Sequence, residues 1–411
     1  MSVLTGIFNL LALLYIGRAI QLTVQIARDW TELRQEPLTR AKQHLAEQAA
    51  FFVAVPFSVL VHELAHAAAV WLFGGQVVEF GYRVFWGYVV PSGSFTPLQN
   101  WVIAVAGTLG SLAFGAAVWL VLRRQPSRTL RFFGLRAFRF QIYFSLLYYP
   151  IFSLFLPIGD WRIIYDFAAT PVLSGATAVA HAALLLWFYR ADRAGAFEMP
   201  AFESVAAQSH FAALSASNDP AARLQAVQLL QQGEAKRLAE RELNRYLAQY
   251  PESAEGQLQR ALLLVRTQRA VTPEAAATAR QALALGLRAP DDVALARRIA
   301  ALAELERGDG TAAAAELDAA LAPAPGYAPE QLSLTARADL HYLRSQAYRR
   351  QRRYEDAYRE SGEAVRLARG AGLNDAEERY RAEQELVEKH AGRRLSATYP
   401  EQEPFTTSPG P

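Results

Sequence analysis

The chain has 411 residues, 52% of them hydrophobic, with 22 Phe, 7 Trp, no Cys and a net charge of only +3. Two or three domains fit that length, and the sequence pI near 9.0 is no argument for nucleic acid, because most Arg after residue 220 alternate with Glu as on solvated helix faces. Without cysteine there is no disulfide framework and no thiolate, so His, Asp and Glu are left to bind any zinc. The apolar excess lies before residue 190, whereas the remainder is rich in the helix formers Ala, Arg, Glu and Gln. These features predict a mostly α protein: a polytopic transmembrane helix bundle with a small β-hairpin, followed by a soluble α-helical repeat domain.

A helix needs about 20 apolar residues to cross the hydrocarbon of a bilayer. Five stretches qualify: 3–26, 49–73, 98–122, 140–158 and 171–189. The first begins almost without a basic region and lacks a clear small-residue cleavage site, so it reads as a retained span. Residues 28–47 carry both signs of charge with apolar residues at helical spacing, which suits an amphipathic interfacial helix or a plain linker. The second span contains His62-Glu63-Leu64-Ala65-His66. On a helix the two histidines stand one turn apart on one face, so two imidazole nitrogens can converge on one Zn²⁺ while Glu63 is displaced toward a water. Ionisable groups at membrane depth are costly without partners and point to function.

Between the second and third spans, residues 76–90 are β-branched, aromatic and punctuated by Gly, which predicts a hairpin. The third span carries Gly107, Gly110, Ser111 and Gly115, small residues that let helices pack closely beside the site and to which no catalytic role is assigned. The fourth ends in Leu156-Pro157-Ile158-Gly159-Asp160-Trp161, where Pro and Gly break the helix beside a lone carboxylate. Broken helix at membrane depth must be buried in protein or line a cavity, so the bend and its carboxylate should face the bundle interior. Catalytic zinc usually takes three protein ligands. The candidates for the third are Asp160, positioned by the kink, and His181, which sits in an unbroken Ala/Leu stretch and reads more readily as a hydrogen-bonded packing residue.

From residue 224 a weak similarity recurs every thirty to forty residues, at Ala239, Ala275 and Ala282, Ala313 and Ala320, and Ala357 and Ala364, with Pro251 and Pro325 echoing a terminal proline. The unit 348–367, with Tyr348, Tyr354, Ala357 and Ala364, resembles the tetratricopeptide repeat, in which stacked helix pairs leave a concave surface. Residues 395–411, with four prolines, read as a disordered tail. The expected domains are therefore 1–48, a first span and amphipathic linker; 49–190, the core; 191–222, a linker; 223–394, the repeats; and the tail.

Residues 49 to about 170 resemble the site-2 protease family of intramembrane zinc metalloproteases. The resemblance rests on His62-Glu63-Leu64-Ala65-His66 in a span, the following hairpin, Ala106-Gly107-Thr108-Leu109-Gly110-Ser111, and Leu156-Pro157-Ile158-Gly159-Asp160. It implies zinc held by His62, His66 and Asp160, with Glu63 as the general base. Many members have Leu-Asp-Gly where this chain has Gly-Asp-Trp, a departure that bears on Asp160 and motivates an alternative: a membrane-anchored repeat scaffold without catalytic activity. A zinc hydrolase of lipids or small molecules is a third reading. The implied activity is endoproteolysis of a membrane-anchored protein substrate, with a protein partner on the repeats and no nucleic acid. The localisation expected is a bacterial-type cytoplasmic membrane. Residues 123–139 hold six Arg and no acid, which places them and the repeat domain in the cytoplasm by the positive-inside rule; the family resemblance points to the opposite orientation.

Overall fold

The computed structural model describes residues 3–84, 86–155, 159–324 and 327–395. The chain divides into two compact units, Met1–Arg241 and Glu242–Pro411. In the first, α1 (Val3–Arg28) and a single turn, α2 (Trp30–Leu33), precede α3 (Arg40–Phe52) and α4 (Ala54–Leu72). Thr39 starts α3 by accepting the Lys42 backbone N–H. The stretch 28–47, read as an amphipathic helix or a plain linker, holds the single turn α2 and the start of α3 joined by a short connection, and the predicted span at 49–73 begins inside α3, since Arg40–Leu72 forms a 33-residue helical run. The hairpin follows, β1 (Gln76–Tyr82) antiparallel to β2 (Gly87–Ser92), with Tyr82 opposite Gly87 and an irregularity between Val77 and Glu79.

Helix α5 (Pro97–Leu122) opens with a capping box in which Thr96 and Gln99 satisfy each other's backbone N–H, with Pro97 in the first turn. It is the organising element of this unit, packing on α4, on α6 (Arg128–Tyr143) and on α8 (Asp160–Ile164). Close approach is possible because a Cβ on Gly110 would lie 2.7 Å from Ala65 Cβ, and one on Gly115 would lie 2.8 Å from Gln141 Cγ. The basic segment 123–139 is therefore largely helix and not loop, started by Ser127. A π-helical turn (Phe144–Tyr148) joins α6 to α7 (Tyr149–Phe155). The predicted kink at Leu156, Pro157 and Ile158 lies outside the described residues. After α8 come α9 (Pro171–Arg193), α10 (Val205–Ala216), which occupies part of the stretch read as a linker, α11 (Pro220–Gln232) and α12 (Lys236–Gln249).

Among the described residues three helices, and not about five, are long and apolar enough to cross a membrane: Arg40–Leu72, Pro97–Leu122 and Pro171–Arg193. The stretch 140–158 is described only as far as Phe155, as the end of α6, the π-helical turn and α7, and its crossing rests on sequence alone. Helix α1 forms over the first predicted stretch, but its opening side chains lie outside the described residues, and its crossing rests on sequence alone. Val172 (81% exposed) and Val179 (72%) on α9 face outward, as do Leu120 and Val121 on α5 and Trp71 and Leu72 on α4. Apolar side chains turned away from the core in this number suit a lipid solvent.

The second unit holds α13 (Ala254–Gln268), α14 (Pro273–Ala284), α15 (Pro290–Glu306), α16 (Gly310–Leu321), a 3₁₀ turn (Pro329–Gln331), α17 (Leu334–Arg350), α18 (Tyr354–Gly370) and α19 (Asn374–Ala391). Each helix packs on the next, and α13 on α15, α15 on α17 and α17 on α19 as well. Ser253, Thr272, Asp309 and Ser333 cap four of the starts, each accepting backbone N–H groups. The alanines singled out in the sequence, Ala275, Ala282, Ala313, Ala320, Ala357 and Ala364, are all 0% exposed, as is Ala239 in the first unit. Pro325 and residues 396–411, including the predicted tail, lie outside the described residues.

Ion pairs staple neighbouring helices in this unit. Arg344 grips Glu360 with two bonds of 2.7 and 2.8 Å, and His341 Nδ1 lies 2.7 Å from the same carboxylate. Burial opposes ionisation of Glu360, but the His341 contact and the Arg344 charge outweigh it and hold its carboxyl below the usual range. A carboxyl with a lowered folded pKa contributes stability above its unfolded value, about 4.3, and loses it as pH falls through the folded value. Glu360→Gln is therefore expected to cost about 1–3 kcal/mol at pH 7. Circular-dichroism unfolding of the full chain should show the gap to the native protein shrinking at acid pH.

Candidate metal centre

His62 and His66 project from one face of α4, and α8 brings Asp160 to them. One nitrogen of each histidine and one carboxylate oxygen of Asp160 all lie within 4.8 Å of one another. His62 Nε2 is 3.0 Å and His66 Nε2 is 3.1 Å from Asp160 Oδ2. The outer nitrogens are held in turn: His66 Nδ1–H donates to the Ile103 carbonyl over 2.7 Å, and His62 Nδ1 lies 3.2 Å from Ser111 Oγ. Both partners sit on α5. Donation from Nδ1 leaves the Nε2 lone pair of His66 directed at an anionic oxygen, a pairing that only a shared proton or a cation makes attractive. Two imidazole lone pairs and one carboxylate, oriented by outer hydrogen bonds, suit zinc.

Tyr149, at the start of α7, locks the third group. Its O–H donates to Asp160 Oδ2 over 2.8 Å, and its oxygen accepts the Asp160 backbone N–H over 3.1 Å. Gly159 supplies the entry to α8 with φ of +115°, where a Cβ would also lie 2.5 Å from Ser153 Oγ. Glu63 is buried at 5% exposure and lies under the hairpin: a Cβ on Gly87 would come within 2.5 Å of Glu63 Cγ and 2.8 Å of Oε1. Strand β2 is thereby brought onto the carboxylate beside the histidine pair.

His181 is elsewhere. Its Nε2–H donates to the Leu146 carbonyl over 2.6 Å, its Nδ1 accepts from Tyr165 O–H over 2.5 Å, and its ring lies 4.5 Å from that of Trp161. Both nitrogens are engaged, which is the arrangement of a packing residue. Sequence reasoning missed Tyr149, the outer partners Ile103 and Ser111, and the close approach of Gly87. No local pattern marks a carbonyl or a tyrosine as an orienting group. Gly107 was read as a packing residue only, yet a Cβ there would fall on His66 Nε2 and lie 2.5 Å from His62 Nε2. Gly107→Ala is expected to lower zinc affinity about 10–100-fold, the scale of losing an orienting contact, with helix content unchanged. Competition against a chromogenic chelator measures it.

The first unit thus joins apolar helices of membrane-crossing length to a two-histidine, one-carboxylate cluster that could hold a metal ion. Residues 46–195 match the family model for Peptidase M50B-like proteins, the site-2 protease group, which supports a metallopeptidase at family level for this part of the chain. No curated protein matches the chain.

Proposed function

We propose that the chain is an intramembrane zinc endopeptidase that hydrolyses peptide bonds of a membrane-anchored protein, with His62, His66 and Asp160 holding the metal and Glu63 as general base. The observation that carries this reading is the convergence of His62 Nε2, His66 Nε2 and Asp160 Oδ2 beside an HExxH glutamate. When bound, zinc supplies a Lewis acid that polarises the scissile carbonyl and acidifies water. Glu63 takes the proton of the attacking water and returns it to the leaving amine. Ile103, Ser111 and Tyr149 keep the three ligating groups turned inward. A transmembrane substrate must unwind before its carbonyls are open to attack. The position of β2 over Glu63 supports the hairpin as the edge that holds the extended form.

The helical second unit acts in this reading as a tetratricopeptide-like platform that recruits substrate or regulator, supported by consecutive helix packing around fully buried alanines. Its placement in the cytoplasm of a bacterial-type membrane rests on the positive-inside rule alone. Protein purified with its native metal should contain one zinc per chain, lost in His62→Ala. Proteomes of cells carrying the native chain and Glu63→Gln should differ by the accumulation of at least one membrane-anchored protein in the variant. Absent zinc, or identical membrane proteomes, would leave the scaffold reading standing.

A further inference from the structure

A second feature, lined by residues that flank Asp160 in the chain, has no place in the hydrolytic step. A cavity of about 300 Å³ is lined by Pro150, Ser153, Trp161, Arg162 and Tyr165. Its polar wall consists of donors. Trp161 is 4% and Ser153 3% exposed, and neither the indole Nε1 nor the Ser153 hydroxyl has a hydrogen-bond partner. Among the described residues the Arg162 side chain makes no ion pair or hydrogen bond, although its helix begins at a candidate metal ligand. The depth is informative: the Trp161 ring lies 4.5 Å from that of His181, near the middle of the candidate span Pro171–Arg193. An arginine among helices of membrane-crossing length calls for an anionic or strongly polar partner. Orphaned buried donors require an acceptor likewise.

We infer that this cavity is a substrate subsite that accepts a carboxylate side chain, so that the peptide drawn to the metal centre carries Asp or Glu near the bond to be cut. Arg162 supplies a planar fork matched to a carboxylate, the Trp161 N–H and Ser153 O–H add donors to its oxygens, and Pro150 and Tyr165 form the apolar walls. The wall residues Trp161 and Arg162 directly follow Asp160 in α8, which keeps the cavity within one helical turn of a candidate metal ligand along the chain. An acidic residue in a membrane segment is itself expensive to bury. Pairing it with Arg162 would favour acidic over neutral segments in the site.

This inference rests on the proteolytic reading, and its test has an arm that does not need cleavage. Binding of N-acetylglutamate amide, of its neutral analogue N-acetylglutamine amide and of inorganic phosphate is measured by titration calorimetry on the full chain in nanodiscs. The carboxylate is expected to bind at least about tenfold tighter than the amide, as for a charge-assisted bidentate contact. Arg162→Gln should abolish that preference and Arg162→Lys retain part of it; Arg162 is exposed, so both variants should fold. Equal binding of the two amino-acid probes, preference for phosphate, or an unchanged preference in Arg162→Gln would overturn the subsite. If a cleaved substrate is in hand, changing its acidic residue to the amide should raise KM in the native enzyme and not in Arg162→Gln. Failure to find any cleavage while the carboxylate preference persists would count against the protease and not against the subsite.

Discussion

Glu63→Gln is expected to lower cleavage of a membrane-anchored substrate by about 10²–10⁴-fold, the range for loss of a positioned general base, while bound zinc stays at the native level. The substitution keeps the shape of the side chain and the space under Gly87, where a Cβ would already crowd Glu63 Cγ at 2.5 Å. It removes only the ability to accept and return a proton. Because Glu63 is buried at 5% exposure and is not among the three converging groups, the metal cluster should persist. The measurement is kcat on a reconstituted substrate alongside zinc content of the same preparation. A variant that cleaves at the native rate would remove Glu63 from the mechanism, and one that loses zinc would reassign it to the metal.

Asp160→Ala is expected to reduce zinc affinity by more than about 100-fold, beyond the effect of removing an outer hydrogen-bond partner, and to lose cleavage with it. Asp160 Oδ2 is the one atom that both His62 Nε2 and His66 Nε2 approach, at 3.0 and 3.1 Å. Removing it leaves two ligands where a catalytic zinc usually takes three. Tyr149→Phe gives a graded comparison, since it deletes only the 2.8 Å donor to that oxygen. Should Asp160→Ala retain zinc, His181 is a poor substitute, because both its nitrogens are bonded to Tyr165 and Leu146. The departure from Leu-Asp-Gly to Gly-Asp-Trp in this chain gives the experiment its weight. Trp161 belongs to the buried core of α8, and so the following residue differs without moving the aspartate away from the histidines.

Much of this site was legible in the chain. One turn of helix separates His62 from His66 whatever the surrounding fold, because i and i+4 share a face, and the hairpin at 76–90 follows from β-branched residues and glycines with Tyr82 and Gly87 as its facing pair. The small residues at 107, 110 and 115 also announced close packing. The count of spans was less legible. Apolar content alone admits the stretch 140–158, and it does not announce that the helix changes type there, from α6 through a π-helical turn to α7.

What local sequence determined by itself, then, is everything set by the 3.6-residue period and by side-chain chemistry: the histidine pair, the glutamate between them, the apolar helices and the alanine-lined contacts of the second unit. What only the tertiary structure decided is that Asp160, and not His181, the other candidate the sequence offered, meets that pair, and which further groups orient it. Asp160 lies 98 positions after His62, and its place is set by α5, on which both α4 and α8 pack. The Ile103 carbonyl and Ser111 hydroxyl on that same helix orient the two rings, while Gly107 leaves them room. Such contacts follow from helix register and close packing across the bundle, which no spacing along the chain encodes.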